Sequence, residues 1–244
     1  MAIIPNSQLF AMAAEQYAQL LSESAVVYGT PEALAIERVG RNIADAAQRW
    51  LDAQGRADWL DGFDWSFALI QDDSVNAWAM PGGKIAFYTG ILPITRDEAG
   101  IAVVMGHEIA HAVLHHGQQR MSAAVLQEMG AAGIAAAMSG GSFSPETQAA
   151  TMTAFGVGSA LFGTLPFSRA HEDEADRLGL LLMAIAGYDP NEAPALWQRM
   201  DALLGSPAVP QWLSTHPSHP QRIANLQRLI PEAMQAAIDF GAAR

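Results

Sequence analysis

The stretch Ala99-Gly-Ile-Ala-Val-Val-Met-Gly-His-Glu-Ile-Ala-His-Ala-Val-Leu114 is apolar almost throughout, yet it carries His107, Glu108 and His111. Asp97 and Glu98 precede it, where a helix takes an N-cap and a first-turn acid. The expectation is a mostly buried helix spanning 97–116. That constrains the fold, because polar groups buried on the flanks of a helix need partners that other elements must supply. Two histidines four residues apart lie about 40° apart round the helix axis, so both rings can reach one metal ion. Glu108 sits roughly 100° round from His107, where it can act on a metal-bound water without being a ligand. Such a helix implies zinc-dependent hydrolysis of peptide bonds. The bland alternative is a solvated helix with two incidental histidines, since seven histidines in 244 residues is an ordinary number. The apolar surroundings weigh against it.

Catalytic zinc sites use three protein ligands and keep a position for water. A second acidic cluster, Arg169-Ala-His-Glu-Asp-Glu-Ala-Asp176, offers the third ligand. Glu172 and Asp176 are four apart and share a helical face, whereas Glu174 points elsewhere and Asp173 falls between. Glu172 is the expected ligand, with one Zn²⁺ per chain. Asp176 is the expected acceptor that holds a ligand histidine by its other ring N–H. Read alone, the cluster is just as well a charged helix N-terminus favoured by the dipole. Beside the first helix, ligation becomes the better reading.

His107-Glu108-x-x-His111 followed by Phe167-Ser-Arg-x-x-Glu172-x-x-Ala-Asp176 resembles the gluzincin zinc metallopeptidases, a family that includes the CAAX prenyl protease, HtpX, the mitochondrial Oma proteases and BepA. Asn76-Ala-Trp-Ala-Met-Pro-Gly-Gly-Lys-Ile85 with Tyr88-Thr-Gly90 is similar to the segment before the zinc helix there. Ala186-Gly-Tyr-Asp-Pro190 and Thr215-His-Pro-Ser-His-Pro-Gln-Arg-Ile223 match its C-terminal signatures. The soluble, BepA-like branch fits best. The resemblance implies a zincin-like metallopeptidase domain and a periplasmic or lipid-anchored protein. It also places His216 near the zinc, either stabilising the tetrahedral intermediate or occupying the water site in a resting form. His216 precedes Pro217, so its backbone is expected to be extended. His219 reads as a solvated loop residue, and Arg222 as a loop anchor paired with a carboxylate. His115, His116 and His171 are taken as non-ligands, since three ligands suffice.

Composition limits the partners. A formal net charge of −12 argues against nucleic acid and against electrostatic attachment to anionic lipid. No run of eighteen apolar residues free of charges and breakers reads as a membrane span, and no basic-then-apolar leader reads as a signal peptide. Without cysteine there is no disulfide framework, which fits cytosol or periplasm equally. Outer-membrane or other envelope proteins are the expected partners beyond the polypeptide substrate.

Periodicity gives a single domain, mainly α with a small β-sheet, over 1–244. N-terminal helices occupy 1–55, at 8–24 and from Pro31 to about Gln54, the second capped by Thr30. The sheet and hairpin lie within 63–90: Phe63 to Ile70 alternates at period two, and 77–80 and 84–89 flank the turn Pro81-Gly-Gly83. After the zinc helix come an Ala/Gly-rich helical pair over 119–165, the third-ligand helix over 169–186, and C-terminal helices within 191–238. The Ala/Gly-rich stretch reads as core and as partial cover for the cleft. If residues 83–89 form the sheet edge nearest the zinc, Gly83, Lys84, Ile85 and Ala86 hold an extended substrate by main-chain hydrogen bonds. The function expected is a zinc endopeptidase of envelope protein quality control. The alternative is a chaperone-like zinc protein that binds unfolded or outer-membrane proteins without cutting them. An intact Glu108 favours the enzyme, because zinc binding alone does not need it.

Overall fold

The structure is a computed structural model in which residues 5–120, 122–123, 167–204, 210–217 and 221–242 are described. The Ala/Gly-rich pair, apart from its first few residues, and His219 lie outside them.

Helix α1 spans Asn6–Glu23 and α2 spans Pro31–Ala53. Thr30 caps α2 by accepting from Ala33 N, and Pro31 opens it. Four strands follow the chain as β1 (Val26–Val27), β2 (Ser66–Ile70), β3 (Ala77–Met80) and β4 (Lys84–Tyr88). The helix α3 (Leu92–Thr95) leads into α4 (Glu98–Val113), whose N-cap Asp97 accepts from Gly100 N at 3.0 Å. Later in the chain come α5 (Arg169–Ile185), α6 (Glu192–Asp201), α7 (Trp212–Thr215) and α8 (Arg222–Asp239). The chain is mostly helical with a small sheet.

The sheet order is β1-β2-β4-β3, with β2 and β4 parallel and the other two pairings antiparallel. Strand alternation divides the sheet's side chains between two cores. Leu69, Ala77, Ile85 and Phe87 enter the large core with α2, α4 and α5, while Ala68, Ile70, Met80 and Ala86 pack with Ala13 and Tyr17 of α1. The order overturns one expectation. Strand β4 is interior, hydrogen-bonded to β2 on one side and β3 on the other, so its backbone is already committed. Gly83, Lys84, Ile85 and Ala86 are buried within the sheet and form no edge. The edge strand of the hairpin is β3. The hairpin signal located the turn correctly, but a local signal says nothing about which strand gains a second neighbour.

Two further boundaries differ from the sequence reading. The period-two strand begins at Ser66, three residues late, because Phe63 and Trp65 pack against each other beside the sheet. The zinc helix ends at Val113, and His115 then takes a left-handed backbone, φ 56°, before the chain turns helical again at His116.

Helices α4 and α5 cross where Gly106 meets Gly179. A Cβ built on Gly106 would lie 2.7 Å from Gly179 O, and one on Gly179 would lie 2.7 Å from Gly106 C. Both obstructions are backbone, so neither can swing away. This approach sets His107, His111 and Glu108 against Glu172 and Asp176. Gly106→Ala is expected to lower stability by about 1–3 kcal/mol from overpacking, despite alanine's helix propensity advantage of about 1 kcal/mol. Denaturant unfolding of the variant measures it, and an unchanged or higher midpoint would contradict the tight crossing.

Candidate metal and catalytic site

Helix α4 presents His107 and His111 one turn apart, and α5 presents Glu172 and Asp176 likewise; all four are buried. The two histidine Nε2 atoms lie 3.0 Å apart. His107 Nε2 is 3.6 Å from Glu172 Oε2, and His111 Nε2 is 3.4 Å from Glu172 Oε1. His216, just after the short helix α7, turns Nδ1 into the same cluster, 3.1 Å from His107 Nε2 and 3.0 Å from Glu172 Oε1. One ligand atom from each of His107, His111, Glu172 and His216 falls within 4.8 Å of all the others. The backbone at His216, φ −120° and ψ 74°, leaves the helix as expected but stops short of the extended region, and its N–H still donates to Trp212 O.

These residues fit a tetrahedral cation. Zinc–nitrogen bonds of about 2.0–2.1 Å place neighbouring ligand atoms about 3.3 Å apart, the middle of the observed range. Donor chemistry agrees. His107 Nδ1 is 3.0 Å from Asp176 Oδ1, and an aspartate accepts only, so the ring proton sits on Nδ1 and the Nε2 lone pair faces the cluster. Two such lone pairs 3.0 Å apart repel unless a cation or proton lies between them. Charge agrees as well. Glu108, Glu172 and Asp176 are all buried, and the arginines facing them are two, the fully buried Arg222 and Arg120, whose charge reaches Glu108 and Glu172.

Arg222 is the anchor of the acidic pair. At 0% exposure it donates from Nη1 to Glu172 Oε2 at 2.7 Å and from Nη2 to Asp176 Oδ1 at 2.6 Å, and its guanidinium lies 3.5 Å from the Trp197 ring centroid. Burial raises the Glu172 carboxyl, but the imidazoles of His216, His107 and His111 packed against it hold it well below the usual carboxylate range. For Asp176, burial is likewise outweighed, by Arg222 and His107. Burial pushes His111 well below the usual histidine range. Both acids are therefore ionised and His111 is neutral, the protonation states a cation needs.

Glu108 is buried beside the cluster. It accepts from Trp212 Nε1 at 2.8 Å, and His216 Nε2 lies 3.4 Å from its Oε1. Trp212 also donates its backbone N–H to Val75 O at 3.1 Å, which fastens α7 to the chain two residues before the edge strand β3. The Glu108 carboxyl, His216 and the root of β3 are thus tied together through Trp212.

The structure brings together His107, His111, Glu172 and His216, the residues the sequence placed at or near the metal, but sequence reasoning missed several of their neighbours. Trp212 reads as core in any hydrophobic pattern, so its role toward Glu108 has no sequence signal. Phe167 stacks on His111 at 4.0 Å between centroids. His116 lies outside the four-residue cluster, yet its Nδ1 lies 2.9 Å from His111 Nδ1 and its Nε2 lies 3.1 Å from Glu174 Oε2. Burial, with the neighbouring His171, lowers His116 to about 4. Glu174 does point away from the cluster, with a side chain 63% exposed.

Comparison with known proteins agrees with this geometry. The chain is 33% identical over 225 residues to the mitochondrial metalloendopeptidase OMA1 of Schizosaccharomyces pombe, covering 91% of this chain and 61% of that protein. It is 34% identical over 182 residues to OMA1 of Homo sapiens, covering 72% and 34%. It is 31% identical over 184 residues to the β-barrel assembly-enhancing protease of Escherichia coli K12, covering 71% and 37%. The chain thus spans less than two thirds of the length of each relative. The profile of peptidase family M48 matches residues 33–230, which takes in both ligand helices, Glu108 and His216. With the metal-ligating cluster and the buried glutamate on the matched segment, the chain belongs to peptidase family M48.

Proposed function

We propose that the protein is a zinc endopeptidase that holds one Zn²⁺ through His107, His111 and Glu172. The observation that carries this reading is the buried cluster of two imidazoles and a carboxylate with Glu108 beside it. Zinc in such a site acidifies a bound water towards a pKa of about 7 and polarises the scissile carbonyl. The chain's own residues do the rest. Asp176 and Arg222 fix His107 and Glu172, so the ligand set is rigid. Glu108, oriented by the Trp212 indole, takes a proton from water at its carboxylate and returns it to the leaving amine. The outer edge of β3, which pairs with no further strand among the described residues and is tied at Val75 to the corner that carries Glu108, is where an extended polypeptide adds as a further strand.

His216 has the role of a plug in this reading. Its Nδ1 fills the fourth corner of the ligand set, the position a catalytic water needs. Activity then requires His216 to swing out. Substrates are envelope proteins under quality control, a reading supported by the E. coli relative's name as a β-barrel assembly-enhancing protease. A periplasmic or lipid-anchored location belongs to the same reading. No described helix is long and apolar enough to cross a membrane.

Metal analysis with casein cleavage tests the whole assignment. Wild type and Glu108→Gln are expected to hold equal zinc, with cleavage lowered at least about 100-fold in the variant by loss of the proton acceptor. Replacing His107, His111 or Glu172 by alanine should remove most of the metal. Stoichiometric zinc in Glu172→Ala would sink the ligand set. Zinc without cleavage in the wild type would replace the enzyme by a non-catalytic binding protein.

Asp176→Asn keeps the shape but loses the charged acceptor for His107 Nδ1–H. It is expected to cost about 10–100-fold in metal affinity or activity. Titration against a chelator reads this directly, and wild-type affinity would remove Asp176 from the site's support.

His216→Ala separates plug from donor. The plug predicts retained zinc and a higher basal rate on a short unstructured peptide. A fall in kcat of about 10²–10³, the cost of one lost oxyanion donor, would reject the plug and assign the donor role alone.

A further inference from the structure

His116 is buried to 0% exposure, yet it is not one of the four residues that face the cation position. Its two ring nitrogens have different partners. Nε2 lies 3.1 Å from Glu174 Oε2, and Nδ1 lies 2.9 Å from His111 Nδ1. A carboxylate can only accept, so His116 Nε2 carries the proton. A neutral His116 then has a bare Nδ1, and the hydrogen in the imidazole–imidazole contact belongs to His111 Nδ1. That leaves His111 Nε2 unprotonated, turned toward His107 Nε2 and Glu172.

We propose that Glu174 and His116 form a hydrogen-bonded relay that holds His111 in its metal-ligating tautomer and orientation. They are positioning residues that act through His111. This deepens, and rests on, the assignment of His111 as a ligand.

The fold is built around this contact. On an uninterrupted α-helix, residue 116 would lie roughly 140° round from residue 111, too far to meet it. The helix instead stops at Val113, and His115 adopts the left-handed backbone, φ 56°, that L side chains rarely take. That turn folds the His116 ring back under His111. The His115 ring is held in place by Trp59 and Phe63, with centroids at 5.2 and 6.0 Å. His171 stacks on His116 at 4.4 Å and 21°, and Phe167 stacks on His111 at 4.0 Å and 24°. Both rings of the relay are therefore clamped on a face. The two ligand histidines are supported in different ways. His107 leans on a buried aspartate neutralised by a buried arginine, whereas the support of His111 ends on a carboxylate with a 63% exposed side chain.

Two readouts that need no peptide cleavage test the relay: zinc affinity by chelator competition, and the His111 tautomer by nitrogen NMR of the metal-free protein. His116→Phe should weaken zinc by about 10–100-fold. His116→Asn, whose amide oxygen can accept from His111 Nδ1–H, should recover most of the loss. Glu174→Ala should weaken zinc in the same direction by less and still bind one equivalent when zinc is in excess. The wild type should show His111 protonated at Nδ1. Wild-type affinity in His116→Phe, or His111 protonated at Nε2 in the wild type, would overturn the relay. If His116→Phe fails to fold, the surface change Glu174→Ala and the wild-type tautomer still decide it. A chain that passes both readouts but cleaves nothing would overturn the peptidase reading and leave the relay standing.

Discussion

The backbone contact of Gly106 with Gly179 is the constraint on which the site depends. Ligands come from two helices, and their side chains are short. An imidazole and a carboxylate can share one cation only if the helix axes approach more closely than ordinary side chains allow. Two glycines remove the obstruction one residue before His107 and three residues after Asp176. Everything else at the site takes this distance as given. Arg222 can bridge Glu172 and Asp176 because they already face α4, and His216 can close the fourth corner because three others are fixed.

Burying this much polarity is costly, and the surroundings show how the cost is met. Removing a carboxylate from water is unfavourable by several kcal/mol unless hydrogen bonds and opposite charge compensate. Glu172 and Asp176 share the Arg222 guanidinium, which is itself held against Trp197, and that tryptophan stacks on Trp212. The aromatic pair is thus wedged between the arginine that steadies the ligands and the indole that steadies Glu108. The apolar residues here serve as scaffolding for polar geometry. This explains why α4 reads as hydrophobic on nearly every side despite carrying the reactive groups.

Much of this was legible in the residues themselves. The two i, i+4 pairs located residues that the fold brings into one buried cluster, and the cap residues Thr30 and Asp97 marked helix starts that the fold keeps. These signals are local, which is why sequence carries them. What sequence did not carry is relational. The hairpin was visible at Pro81-Gly-Gly83, but the parallel pairing that buries β4 depends on β2, which arrives from earlier in the chain. His116 stands five residues from His111, a spacing that no regular helix makes adjacent; only the turn at His115 does so. Trp212 has no polar pattern to announce it. Gly106 and Gly179 looked like ordinary small residues, because each has meaning only in the presence of the other.

Trp212 occupies the first position of a helix four residues long, and His216 follows directly at its end. One end of this segment grips Glu108 through the indole and Val75 through the backbone, while the other end reaches into the ligand set. So short a piece of chain has little room to flex between its ends. Any movement large enough to withdraw the imidazole therefore pulls on the glutamate and on the root of the open strand together. In the proposed mechanism, uncovering the metal, freeing the base and shifting the edge of β3 become a single mechanical event.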